Sequence, residues 1–155
     1  WRTLSKWILK ERRRIMYTEL NSLLEQNVTD DAWYDDGFLV AQDIMNNFVA
    51  EDWKRLGEEV LSKDIEWQKK LAYCIDNQLI EEELNIICKL LQVKNDELLE
   101  MCVDSLRSFD NEVGHLYIKN NPQIIQMVKS RIKNAGTIEK IILEKFLSIF
   151  DENVK

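Results

Sequence analysis

The sequence predicts an all-α protein of about eight antiparallel helices joined by short polar links. Three observations predict it. One Pro and four Gly in 155 residues are too few for a strand-rich chain, which needs a turn every ~8–12 residues. Apolar residues recur three and four positions apart along most of the chain, the spacing that lines one side of a helix. The breaks in that spacing are short and hold Asp, Asn or Thr, which cap helix starts. A chain of 155 residues fits a single domain, 1–155, that buries roughly two-thirds of its unfolded surface.

Residues 3–26 read as one long helix. Leu4, Ile8, Ile15, Leu20, Leu23 and Leu24 form its apolar side, and Arg12, Arg13 and Arg14 fall on its polar sides. Asn27 to Asp36 break the pattern, so Asp35 or Asp36 is expected to cap the next helix, Phe38–Val49. Glu51-Asp52 starts another, carrying Trp53, Leu56, Val60 and Leu61. Asp64 is expected to cap Ile65–Asp76, which buries Trp67, Leu71, Cys74 and Ile75. Glu81–Leu91 and Asp96–Phe109 follow with the same spacing. Pro122 suits the first turn of a helix running to Lys133, because its missing N–H has no helical partner there. Gly136 ends that stretch, and Thr137 with Glu139 nearby opens the last helix, through Phe150.

Short links make these helices antiparallel neighbours, in an irregular bundle or in a stack of pairs. A loose internal similarity favours the stack, a small α-solenoid of HEAT-like pairs. Val60, Asp64, Trp67, Leu71, Ala72 and Ile75 match Leu91, Asn95, Leu98, Cys102, Val103 and Leu106, 31 residues on. In both copies a helix end is followed by a short link, an Asp or Asn cap and an amphipathic helix.

Hydrophobic residues make up 45% of the chain and charged ones 32%, as in a soluble globular protein. No run reaches the ~18–20 apolar residues of a membrane span, and no signal-peptide pattern is present, so the expected location is the cytoplasm. The opening Trp1-Arg2-Thr3 lacks a Met, and a few leading residues are expected before it. Cys74, Cys88 and Cys102 are spaced by 14 residues, about four helical turns, and read as free core-facing thiols rather than a metal framework.

Charge is unevenly spread. Residues 15–110 hold 22 Asp/Glu against 8 Lys/Arg, a net of −14, whereas residues 1–14 carry +5 and residues 111–155 carry +2. The basic stretch Arg2, Lys6, Lys10, Arg12, Arg13 and Arg14 lacks interleaved aromatics, and a pI of about 4.9 opposes direct nucleic-acid binding. Pairing with acids of neighbouring helices suits it better.

The chemistry of common active sites is missing from the pattern. His115 is the single histidine, so no Ser-His-Asp or paired-His zinc arrangement can be written around a second one. Glu112-Val113-Gly114-His115 has the spacing of a di-iron ligand pair but lacks its required second copy. The four glycines are isolated, which excludes a Gly-rich phosphate loop, and the Asp-rich stretch lacks calcium-loop spacing. The sequence therefore reads as a non-enzyme with no cofactor and no metal.

What remains is binding. Asp30-Asp31-Ala32-Trp33-Tyr34-Asp35-Asp36-Gly37-Phe38 sets a Trp-Tyr pair between carboxylates, the composition of an interface hot spot. Two readings fit it: a partner surface, or aromatics anchoring the core while the acids cap helices. Glu51, Asp52, Glu58 and Glu59 add charge on the next helix, and the helix starts at Asp35, Asp64 and Asp96 are expected to form a negative ridge. The residues expected to meet a partner are Asp31, Trp33, Tyr34, Asp35, Asp36, Glu51, Asp52 and Glu59.

Asp36-Gly37-Phe38, Glu51-Asp52-Trp53 with Leu56, and Glu66-Trp67-Gln68-Lys69-Lys70-Leu71-Ala72-Tyr73 carry a resemblance. Over residues 33–108 the chain resembles the helical immunity proteins of bacterial contact-dependent growth inhibition systems. The resemblance implies a cytoplasmic protein without catalysis that binds a cognate toxin domain from a neighbouring cell and covers its active site. Many such toxins are nucleases with basic clefts, which an acidic inhibitor suits. Because that family varies at its toxin-facing surface, no binding residue is carried over. The alternative is a helical-repeat adaptor or regulator that binds a host protein or peptide.

Overall fold

Helices start in this chain where a short side chain takes up a free backbone N–H. Thr29, Asp64, Asn95 and Asn111 each accept the N–H of the residue three positions on, at 2.8–3.2 Å. The computed structural model describes residues 16–153, and among them every regular element is helical. Helix α1 covers residues 16–25. A continuous helical run then consists of α2 (Asp30–Ala32), a π-helical turn (Trp33–Gly37) and α3 (Phe38–Asn46). There follow α4 (Ala50–Glu59) with a 3-10 turn at Val60–Ser62, α5 (Ile65–Cys74), α6 (Glu81–Leu90) and α7 (Asp96–Leu106). The last are α8 (Glu112–Asn120), α9 (Gln123–Ile132) and α10 (Thr137–Phe150). The basic stretch Arg2 to Arg14 lies outside the described residues.

Two expectations change. Asp35 and Asp36 do not cap a helix: the run begins at Asp30, capped by Thr29, and passes through both aspartates in its π turn. Nothing at positions 31–36 breaks a helix once Thr29 has started it. The wide turn exists to bury Trp33, whose ring lies so close to Gly37 that a Cβ there would meet it at 2.6 Å. Glu112–Asn120 also forms a helix, α8, to which the apolar spacing assigns no element. Its Val113 and Leu116 face water, and its buried position is Gly114, so the usual pattern is inverted.

The helices stack with a fixed step. α4, α6 and α8 start at Ala50, Glu81 and Glu112, and α5 and α7 at Ile65 and Asp96, each pair 31 residues apart. One layer runs α3, α5, α7, α10 and the other α4, α6, α8. Side chains bridge each step. The amides of Gln42 and Asn77 bond the Cys74 carbonyl and Asn46, and the hydroxyls of Ser105 and Ser108 donate to the Ala72 carbonyl and Asp76. Lys89 reaches the Gly57 carbonyl, and Tyr117 donates to Asn85. All six bonds join residues 31–33 positions apart. This is the nearest-neighbour contact pattern of a solenoid. The last pair departs from it, since α9 starts at Gln123 and α10 packs on both α9 and α7.

Apolar side chains from both layers meet in one continuous core, from Tyr17 and Leu20 of α1 to Phe146 and Phe150 of α10. Helix α1 closes the N-terminal end across α5. Asn21 accepts the Trp67 indole N–H, and Lys70 donates to the Leu24 and Gln26 carbonyls at the end of α1, where the helix dipole favours a cation. Cys74 and Cys102 are buried free thiols, raised in pKa by that burial, and Cys88 is half-buried. No helix among the described residues is long and apolar enough to cross a membrane.

Candidate functional site

The π turn that buries Trp33 presents the next residue, Tyr34, to solvent at 40% exposure. One helix over, α5 presents Tyr73 at 39%. Their rings meet edge to face with centroids 4.6 Å apart, and Phe38 meets Tyr73 the same way at 5.3 Å. Leu39 and Val40 extend this apolar surface along α3, at 53% and 52% exposure, between the exposed Asp35, Asp36 and Asp43.

Carboxylates surround the aromatic trio. Partial burial raises the Tyr34 hydroxyl above its ordinary pKa, and the negative fields of Asp30, Glu97 and Glu66 raise it further. Lys69, between Glu66 and Glu97, lies 2.8 Å from a Glu97 oxygen and 3.6 Å from a Glu66 oxygen. The Glu97 bond, first, and then the fields of Glu97 and Glu66 outweigh burial and raise the Lys69 ammonium pKa. The site is thus an open aromatic surface in a negative field, spanning helix 30–46, α5 and α7.

The structure divides the residues expected to meet a partner. Tyr34, Asp31, Asp35 and Asp36 are exposed on helix 30–46, and Glu51 is exposed at the start of α4. Glu51 lies beyond the far end of helix 30–46, whose axis rises about 18 Å from Tyr34 to Asn46. Trp33 and Asp52 are corrections: both are buried. Trp33 fills the core beneath Gly37, and Asp52 accepts the Val49 N–H at 3.0 Å to start α4. Glu59 is half-buried in ion pairs with Arg55 at 2.9 Å and Lys63 at 3.8 Å, toward α1. The expected ridge shifts as well. Asp64 and Asn95 are occupied as caps, and the exposed acids one step apart are Glu66 and Glu97. Tyr73, Glu66, Lys69 and Glu97 complete the site and were missing from the expectation. The signal was present, because Asp35, Glu66 and Glu97 are themselves spaced by 31 residues.

Elsewhere polar groups satisfy one another. His115 bonds Asp110 at 2.6 Å and packs on Phe150, 4.8 Å between centroids. It lines a cleft of about 530 Å³ in which Lys129 is paired with Asp151 at 2.9 Å. In the Glu81-Glu82-Glu83 run, Glu83 is fully buried and accepts the N–H groups of Asn77, Gln78 and Ile80. Among the described residues no group of His, Cys, Asp and Glu is placed to hold a metal ion. No family model, curated protein or solved structure matches the chain.

Proposed function

We propose that the chain is an immunity protein that binds one basic toxin domain, of the nuclease class, and blocks its active site. The observation that carries this reading is the exposed Tyr34–Tyr73 pair among the carboxylates of Asp30, Glu66 and Glu97. Rigid aromatics half open to water supply binding energy at little entropic cost, and the negative field around them selects a basic partner. The −14 net charge of residues 15–110 speeds encounter with a basic cleft and competes there with nucleic acid. The action is steric and electrostatic, in the cytoplasm, without catalysis. The resemblance over residues 33–108 supports the same reading.

Co-expression with the gene immediately upstream tests it. A toxin domain from that gene is expected to co-purify with the chain and to be inactive in the complex. A toxin that stays active in the complex, or an upstream gene encoding none, overturns the reading.

A second reading, an adaptor for a host protein or peptide, draws support from the regular stack. Its α4–α6–α8 layer carries a groove lined by Trp53, Gly57, Asn85, Lys89 and Tyr117. Capture of a host protein that Trp53→Ala abolishes and Tyr73→Ala spares favours this second reading.

A further inference from the structure

We infer that Tyr34, Tyr73, Glu66 and Glu97 form a seat for one arginine side chain of the partner, with Lys69 as its resident stand-in. The inference rests on the reading above that this surface meets a basic protein, and names the group that anchors it.

The stack creates the seat. A 31-residue step brings Glu66 of α5 and Glu97 of α7 to equivalent places on adjacent helices. Two like charges in register repel, and the chain relieves this with one cation, the Lys69 ammonium, in reach of both. Both carboxylates remain wide open, at 71% and 67% side-chain exposure, while Lys69 is mostly covered at 16%. Each therefore keeps oxygens free for a second donor arriving from solvent. Beside them, the Tyr34 and Tyr73 rings present half-open aromatic surface in the same field.

The chemistry that fits both halves is a guanidinium. It is planar and weakly hydrated, stacks on an aromatic face, and forks its N–H groups to carboxylates. An ammonium makes the ionic contact but neither stacks nor forks. Lys69 approaches from within the stack and covers the carboxylates from one side only. A partner arginine displaces part of that pairing, so Lys69 weakens the seat while keeping it assembled in the free protein.

The test titrates the full chain with Nα-acetyl-arginine amide, following the Tyr ring resonances by NMR. Saturable shifts of Tyr34 and Tyr73 are expected, with a Kd on the order of millimolar, as for one exposed cation–π and ion-pair contact. Nα-acetyl-citrulline amide, of the same shape without the charge, is expected to shift neither ring. The lysine analogue is expected to bind several-fold more weakly than arginine. Lys69→Gln frees the carboxylates and is expected to tighten arginine binding about fivefold, the size of one surface ion pair.

Tyr73→Phe is expected to bind as the parent does, since the ring face carries the contact, and the exposed pair Glu66→Gln with Glu97→Gln to abolish saturation. Equal shifts with citrulline, or unchanged affinity in Lys69→Gln, overturn the seat. A chain that seats arginine yet captures no toxin domain upholds this inference and removes the immunity reading. A chain that captures a toxin with its tyrosine resonances unmoved by the probe overturns the seat and leaves that reading standing.

Discussion

Asp52 and Glu83, 31 residues apart, do the same work one step along the stack. Each is buried in the first turn of its helix and accepts the N–H of the residue just before that helix, Val49 at 3.0 Å and Ile80 at 3.1 Å. Glu83 does more. Its second oxygen also accepts the N–H groups of Asn77 and Gln78, in a link where Leu79 adopts a left-handed backbone with φ of 60°. Glu83→Ala leaves three N–H groups without their acceptor and is expected to cost roughly 2–4 kcal/mol. Asp52→Ala is expected to cost about 1–2 kcal/mol, and urea unfolding midpoints compare the two.

Trp33 and Tyr34 are neighbours with opposite roles. Trp33→Ala empties a fully buried site and is expected to lower stability by about 3–5 kcal/mol. Tyr34→Ala removes an edge contact at the surface and is expected to cost under about 1 kcal/mol while weakening partner capture. Thermal unfolding and a pull-down on the same two proteins separate the roles.

Asp35→Lys with Asp36→Lys reverses charge on exposed residues that cap no helix, so the fold is expected to survive. Association with a basic toxin domain is expected to slow at least about tenfold at low salt and to lose much of its salt dependence. Stopped-flow rates across ionic strength measure both, and an unchanged rate moves the interface away from helix 30–46.

Two glycines are expected to respond in opposite directions. A Cβ at Gly114 would fall 1.9 Å from the Phe109 carbonyl oxygen, so Gly114→Ala forces α8 away from α7 at a cost on the order of 3 kcal/mol. Nothing lies within 4 Å of a Cβ at Gly136, the residue preceding α10. Gly136→Ser supplies a cap that α10 lacks and is expected to stabilise by a few tenths of a kcal/mol. Melting temperatures of the two variants decide it.

Burial holds the Asp76 carboxyl above its usual pKa of 3.8, Asp104 adds to this, and the Ser108 hydroxyl, bonded at 2.6 Å, opposes it. The folded chain therefore holds this proton more tightly than the unfolded one. That contribution is fully present below the unfolded pKa and is lost as pH rises through the raised folded value. Asp76→Asn keeps an acceptor for Ser108 and is expected to flatten the fall in stability between about pH 4 and about pH 7. Denaturant midpoints at the two pH values measure the slope, and an unaltered slope rules Asp76 out as its source.

Much of the fold was legible because local rules act within a few residues. Asp64 caps α5 as its side chain requires, and Val60 to Ile75 repeat at Leu91 to Leu106 with the step the structure shows. Helix 30–46 was less legible. Its aspartates look like caps, yet Thr29 had already started the helix, and Trp33 had a core to fill. The site was half legible for the same reason: carboxylates beside aromatics mark a surface, but burial sorts them. Asp52 went inside to bond Val49, and Tyr73 came in from another helix.

By itself, then, the sequence determined the helices, their 31-residue step and the acidic middle, because capping, periodicity and charge are properties of short segments. Only the tertiary structure decided which of those acids meet water and which aromatics meet each other. Those outcomes depend on how α5 lies between helix 30–46 and α7, a packing that no stretch of one helix specifies.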